Sequence, residues 1–151
     1  MKIEYYTNEI IPFIIKYQYS ESGLQKIWFI KNKNKEIFEK KKNKFNKEFD
    51  NYFLKRKDIG DLPIDINLTE LQLKVLLYLR REIKFGLRIT YSELAKKIFN
   101  SKNYARFIGN TMHINPLPLY FPCHRVIGLN NEIKNYSQGI EYKKFLLNFE
   151  K

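Results

Sequence analysis

Thr90-Tyr91-Ser92-Glu93-Leu94-Ala95-Lys96-Lys97-Ile98-Phe99 is followed by the polar Asn100-Ser101-Lys102, and then by Asn103-Tyr104-Ala105-Arg106-Phe107-Ile108-Gly109-Asn110-Thr111-Met112-His113-Ile114. Thr90 or Ser92 can cap a helix through its hydroxyl, and that helix runs to about Phe99. A second helix runs from about Asn103 to Ile114, with Ile108 and Met112 read as core and His113 as a surface residue or a phosphate neighbour. Asn115, Pro116 and Pro118 end it. Two short helices around a tight polar turn have the arrangement of a helix-turn-helix.

Working upstream, Thr69 can cap a helix over Glu70–Ile83, in which Leu71, Val75, Leu76, Leu79 and Ile83 share one buried side. Gly86 is its stop signal. Gly60 and Pro63 break regular structure, so a linker is expected around Arg56–Asn67. Before it, Phe45, Phe49 and Phe53 stand four apart, the spacing of one helix face ending near Leu54. They share the chain with a run of lysines from Lys31 to Lys47, Lys40 included, read as a solvated helix face or loop. The first 30 residues are rich in Ile, Tyr and Phe. Ile11–Ile15 and Leu24–Ile30, separated by Ser20, Ser22 and Gly23, read as strands joined by turns. Downstream of the two short helices, Leu117–Phe121 leads into Pro122-Cys123-His124-Arg125-Val126. A polar loop, Asn130–Ser137, then precedes a last helix with Tyr142, Phe145, Leu146 and Phe149 on its apolar face. The expected architecture is α/β. A small N-terminal β-sheet and helix domain (1–60) precedes a mainly helical domain (61–151) with a winged-helix-like helix-turn-helix.

The 151 residues are 44% hydrophobic and 16% aromatic, enough for a folded core. Lys and Arg number 28 against 16 Asp and Glu, a formal charge of +12. Such a surplus points to a polyanionic partner; a lysine-rich proteome is the bland alternative. Cys123 is the one cysteine, which forbids an intramolecular disulfide and a multi-cysteine metal site and fits a reducing compartment. Lys2, Glu4 and Glu9 precede any apolar run, and Ile10–Ile15 is too short to span a bilayer. A soluble, cytoplasmic protein is expected, with no membrane partner.

Cys123 and His124 carry the candidate chemistry. A thiol near its ordinary pKa of about 8.5 is mostly protonated at neutral pH, and the thiolate is the nucleophile. An imidazole that takes the proton, directly or through water, makes the thiol usable. On its own the pair does not outweigh the bland reading, because most single cysteines are small buried hydrophobes.

The wider string adds to it. Asn115-Pro116, Pro122-Cys123-His124-Arg125-Val126-Ile127-Gly128, Tyr136-Ser137, Leu146-Leu147 and Glu150 together resemble the O6-alkylguanine-DNA alkyltransferases, also called methylated-DNA–protein-cysteine methyltransferases. Pro63-Ile64-Asp65, Ile89-Thr90-Tyr91, Leu94-Ala95, Ala105-Arg106, Gly109, Gly23-Leu24 and Ile27-Trp28-Phe29 extend the resemblance over nearly the whole chain. It implies a single-turnover transfer of the alkyl group from O6-alkylguanine, and from O4-alkylthymine, to Cys123 after the base has left the duplex. His124 acts through a water as base and Glu150 holds His124. Asn115 fixes the active-site turn, and Tyr91 donates to the guanine ring. The carbonyls of Cys123 and Val126 and the backbone at Ser137 read the base, while Tyr136 and Gln138 complete the pocket. Arg106 fills the space of the extruded base, and Tyr104, Ala105, Gly109 and Arg125 join it on the DNA-binding surface. Ala105 and Gly109 permit the close approach that the minor groove demands. No cofactor or metal is implied, and the expected partner is duplex DNA met by a monomer.

Each residue also has a plainer role. Tyr91 can pack the helix entry, Asn115 can form a turn before proline, Glu150 can be a solvated charge, and Arg106 can be a surface phosphate contact. The sequence departs from the family in a longer inter-helix turn, in Asn100 where glycine is frequent, in Phe107 where a small residue is usual, and at Gln138. A non-catalytic helix-turn-helix sensor of alkylated DNA and a cysteine hydrolase are the two rival readings.

Overall fold

The computed structural model describes residues 1–39 and 41–151; Lys40, part of the lysine run, lies outside the described residues. Two units are resolved, Met1–Asn67 and Leu68–Lys151, so residues 61–67, expected with the second domain, belong to the first.

The first unit is a three-stranded antiparallel sheet, β1 (Lys2–Tyr6), β2 (Phe13–Ser20) and β3 (Gly23–Lys31), in the order β1-β2-β3, followed by helix α1 (Lys44–Lys55). β2 begins just after Pro12, which has no N–H for a ladder. It outlasts the apolar run because only alternate residues must be buried: Ile15 and Tyr17 are inside, Lys16 and Gln18 half out. Phe45, Phe49 and Phe53 are buried as their spacing predicts, and Phe49 lies 5.2 Å from the ring of Tyr6 and 5.4 Å from that of Tyr17.

The segment read as a linker is tied to β3. Leu24 N donates to the Pro63 carbonyl (2.8 Å) and Asp65 N to the Leu24 carbonyl (2.8 Å). Asp65 Oδ2 accepts from Ser20 Oγ (2.6 Å) and Gln25 Nε2 (2.9 Å). Gly23, at φ +144, makes room for this: a Cβ there would sit 2.4 Å from the Pro63 carbonyl carbon. Edge pairing of this kind, invisible to periodicity, moves the boundary to Asn67.

The second unit holds α2 (Glu70–Glu82), β4 (Ile89–Thr90), α3 (Tyr91–Phe99), α4 (Ala105–Ile114), β5 (Val126–Ile127) and α5 (Ile140–Phe149). Thr69 and Gln72 form a capping box on α2, and Thr90 and Glu93 form one on α3. Val75, Leu76 and Leu79 are buried as expected, but Leu71, in the first turn of α2, is 51% exposed. α4 starts at Ala105 rather than Asn103, because Lys102–Tyr104 winds into a tighter 3₁₀ turn capped by Ser101. Asn100 ends α3 at φ 56, ψ 27, a left-handed position that asparagine tolerates better than most residues; this is how the chain does without glycine there. Phe107 is half-buried, its ring 6.0 Å from that of Phe99, so it packs between α3 and α4. Among the described residues, no helix is long and apolar enough to cross a membrane.

Candidate active site

The site is assembled by the parallel pairing of β4 with β5, which sets Ile89 beside Val126 and Thr90 beside Ile127. Asn115 holds the chain between α4 and Cys123. Its Nδ2 donates to the Phe121 carbonyl (2.9 Å) and its Oδ1 accepts from Leu117 N (2.9 Å). Within the loop it clamps, Leu119 is buried at φ +75, a left-handed conformation that leucine adopts only when its surroundings impose it. Asn115→Ala would remove both clamping bonds and leave the buried Leu117 N–H without an acceptor, while the Phe121 carbonyl keeps its bond from Cys123 N at 2.7 Å; the cost is about 1–3 kcal/mol. A matching loss in urea-unfolding stability, together with lost activity, is expected; unchanged stability would show that the clamp is dispensable.

Cys123, His124 and Arg125 form one 3₁₀ turn, and all three are buried. His124 Nε2 lies 2.5 Å from Glu150 Oε2. Glu150 is itself buried. Burial pushes its carboxyl up, but the positive charge that His124 carries when protonated, its hydrogen bond and the hydrogen bonds of Arg125 outweigh that and hold it far below the usual carboxylate range. An ionised carboxylate only accepts, so Nε2 carries the proton of the imidazole. The other ring nitrogen, Nδ1, has no hydrogen-bond partner among the described residues. Burial pulls the His124 pKa down, against the pull of Glu150. The imidazole is therefore neutral at pH 7, with a lone pair on Nδ1 ready for a proton.

Burial pushes the Cys123 thiol up, opposed by the neighbouring polar side chains of Asn115 and Tyr136 and by the charge of Lys143. The resting group is a thiol, and the turn around it carries the means to stabilise a thiolate. Tyr91 opens α3 and is half-buried, its hydroxyl raised by burial and by proximity to Cys123.

Two cations sit differently from expectation. Arg125, expected on the DNA-binding surface, is 1% exposed. Its Nε donates to Glu150 Oε1 (2.8 Å), its Nη2 to Glu150 Oε2 (3.1 Å) and its Nη1 to the Ile83 carbonyl (2.8 Å). It is a buried partner of the carboxylate, because a guanidinium can satisfy two carboxylate oxygens and a carbonyl at once. Lys143 was missed altogether. It is 1% exposed, and its Nζ donates to the carbonyls of Val126 (2.7 Å) and Lys134 (3.0 Å) and to Tyr91 Oη (3.4 Å). Burial pulls it down to about 8. Its spacing held a clue: Lys143, Leu146, Leu147 and Glu150 follow i, i+3, i+4, i+7, one stripe of α5.

The remaining predicted residues divide into two groups. Ala105, Arg106 and Gly109 line, with Tyr91, His113, Lys134 and Asn135, a depression of about 320 Å³. Tyr104 is 45% exposed and stacks on Phe99 at 4.4 Å. Tyr136 and Gln138 are half-buried and Ser137 exposed in the turn before α5, which closes with Gly139 N donating to the Tyr136 carbonyl at 2.9 Å.

Comparison with known proteins places this arrangement. Residues 70–151 match the family described as 6-O-methylguanine DNA methyltransferase, DNA binding domain. A methylated-DNA–protein-cysteine methyltransferase of Methanosarcina mazei is 34% identical over 141 residues, 86% of this chain and 85% of that protein. One of Metallosphaera sedula is 37% identical over 105 residues, 69% of this chain and 64% of that protein. The crystal structure of an O6-methylguanine-DNA methyltransferase from Pyrococcus kodakaraensis superposes with a TM-score of 0.73 at 26% identity, covering 98% of this chain and 97% of that one.

Proposed function

Since the chain belongs to the 6-O-methylguanine DNA methyltransferase family, we propose that it repairs DNA by moving the alkyl group of O6-alkylguanine, and of O4-alkylthymine, onto its own Cys123. The observation that carries this is the buried Cys123 followed directly by a neutral His124 whose Nε2 is committed to Glu150. The thiol proton passes through a water to Nδ1 of His124. The thiolate attacks the alkyl carbon in line with the bond to O6; the S–C bond forms as the C–O bond breaks. Tyr91 donates to the departing guanine, and Lys143, which donates to Tyr91, offsets the negative charge that develops. The backbone at Ser137 and the carbonyls of Cys123 and Val126 read the base, with Tyr136 and Gln138 at the rim. The thioether has no reductant or base able to cleave it, so each molecule reacts once.

α3 and α4 act as a helix-turn-helix, with β4 and β5 in the place of a wing, and α4 enters the minor groove. A thiolate cannot line up behind the alkyl–oxygen bond of a stacked base, so the lesion is flipped out of the duplex toward Cys123, past Tyr91, at a cost of a few kcal/mol. The small Ala105 and Gly109 let α4 approach closely. The protein works as a monomer in a reducing intracellular compartment. The test is to incubate it with duplex DNA carrying O6-methylguanine and weigh the intact protein. Gain of one methyl in place of the thiol proton is expected; unchanged mass with retained binding would make it a damage sensor instead.

Arg106 is exposed at the start of α4 and lines the depression, where a guanidinium can stack in the gap left by the flipped base. Arg106→Ala is expected to slow transfer from duplex DNA roughly tenfold or more, since flipping is worth a few kcal/mol. Reaction with free O6-benzylguanine, which needs no flipping, should be nearly unchanged. Equal slowing of both substrates would assign Arg106 to the pocket or the fold.

A further inference from the structure

The charge of the first unit is unevenly placed. Lys31–Lys47 carries eight lysines and two glutamates, whereas the rest of Met1–Asn67 carries six basic and eight acidic residues. Compositional drift would spread lysines along the unit; here the whole surplus lies in one short stretch. In the fold, its C-terminal part gathers Lys41, Lys42, Lys44 and Lys47 around a concavity of about 560 Å³ at the start of α1. Lys41 is paired with Glu4 at 3.0 Å. Lys42, Lys44 and Lys47 are exposed, and among the described residues no carboxylate pairs with them. Asp50, the acidic residue lining the concavity, accepts from Tyr6 Oη at 2.7 Å.

Two features show that this is a held surface rather than a loose tail. The first turn of α1 contains no acidic residue, and lysines there oppose the helix dipole, an arrangement unfavourable for the free protein and relieved by a bound polyanion. The backbone bearing the lysines is also fixed from below by a buried polar network. Asn46, 4% exposed, donates to the Lys41 carbonyl (2.8 Å), and its Oδ1 accepts from Tyr17 Oη (2.8 Å). Asn43 donates to Tyr17 Oη (2.9 Å) while capping the helix at Asn46 N (2.7 Å).

We propose that Lys42, Lys44 and Lys47 form a second DNA-binding surface, separate from α4, that contacts the phosphodiester backbone of duplex DNA. The choice of DNA among polyanions rests on the function proposed above; the surface itself does not. The contact carries no sequence or lesion preference, because lysines meet phosphates as point charges. It supplies affinity for undamaged duplex.

The experiment measures affinity for an undamaged duplex over a range of salt concentrations. It compares the parent with a variant carrying Lys42→Gln, Lys44→Gln and Lys47→Gln, and with a control carrying Lys26→Gln, Lys55→Gln and Lys57→Gln, which removes the same charge elsewhere in the unit. Each phosphate contact contributes about 0.9 to the slope of log affinity against log salt, so the slope should fall by about 2–3 in the first variant, with affinity roughly tenfold lower or more near physiological salt. The control slope should change little. The first variant should melt no lower than the parent, and all three proteins should react alike with free O6-benzylguanine. An unchanged slope in the first variant overturns the proposal, as does an equal change in the control. Retained DNA binding with lost binding to phosphatidylserine vesicles also overturns it, in favour of a membrane surface. If the parent transfers no methyl group while the slope difference persists, the proposed function fails and this surface stands.

Discussion

Cys123→Ser is expected to abolish alkyl transfer completely while leaving duplex binding intact. Cys123 is the one thiol of the chain, so no other sulfur can substitute. A serine hydroxyl at neutral pH is a far poorer nucleophile than a thiolate, and it gains nothing from surroundings that only partly offset the burial of an anion. The change from sulfur to oxygen is small, and Asn115, Tyr136 and Lys143 remain to receive it, so the turn should keep its shape. Mass spectrometry after incubation with alkylated duplex reads the transfer, and anisotropy with the same duplex reads the binding. A serine variant that still acquired a methyl group would move the acceptor elsewhere and remove the basis for the proposed reaction.

Arg125→Ala is expected to destabilise the second unit by about 3–5 kcal/mol, the usual result of removing one partner from a buried ion pair, with a drop in melting temperature of roughly 10 °C or more. Arg125 contributes two hydrogen bonds to Glu150 and one to the Ile83 carbonyl. Lysine cannot restore this set, because a single ammonium does not reproduce the planar fork. The pH dependence has a definite sign. The Glu150 carboxyl is held well below its usual value, so its stabilising contribution is complete above the unfolded carboxylate pKa of about 4.3 and is lost as pH falls below it. His124, whose pKa burial pulls down, acts in the same direction. Its neutral folded form resists protonation that the unfolded chain accepts below about 6.5, so acidification weakens the fold there too. Without Arg125 the carboxyl moves upward and acid unfolding should begin at a higher pH. Thermal melts from about pH 7 down to about pH 3 would show this; identical acid limbs in parent and variant would contradict the coupling of Arg125 to Glu150.

Local rules made part of the molecule legible. Thr69 with Gln72 and Thr90 with Glu93 cap their helices within three residues, an interaction that never leaves the segment. The spacing of Phe45, Phe49 and Phe53 marks the buried face of α1 for the same reason. The motif around Cys123, with Asn115, His124 and Glu150, was readable as a resemblance, and the fold brings His124 and Glu150 into contact. Residue type was not enough where partners come from distant elements. Leu71 has the right spacing for the core of α2, but nothing covers the first turn enough to bury it. Residues 61–67 have loop composition, and only the free edge of β3 at Leu24 gives their backbone a place in the first unit.

The sequence by itself determined the capped helices, the candidate nucleophile and the family of the chain, because caps, apolar periodicity and a contiguous motif are properties of neighbouring residues. Only the tertiary structure decided which cations serve the site. The sequence places Arg125 on the expected DNA-binding surface and does not single out Lys143, since a long basic side chain is almost never buried without partners. Here the carbonyls of Ile83, Val126 and Lys134 and the carboxylate of Glu150 converge on them. That convergence exists only once separate helices, strands and loops have packed, and it makes Arg125 a buried partner of Glu150 and sets the buried Lys143 where its charge favours a thiolate at Cys123.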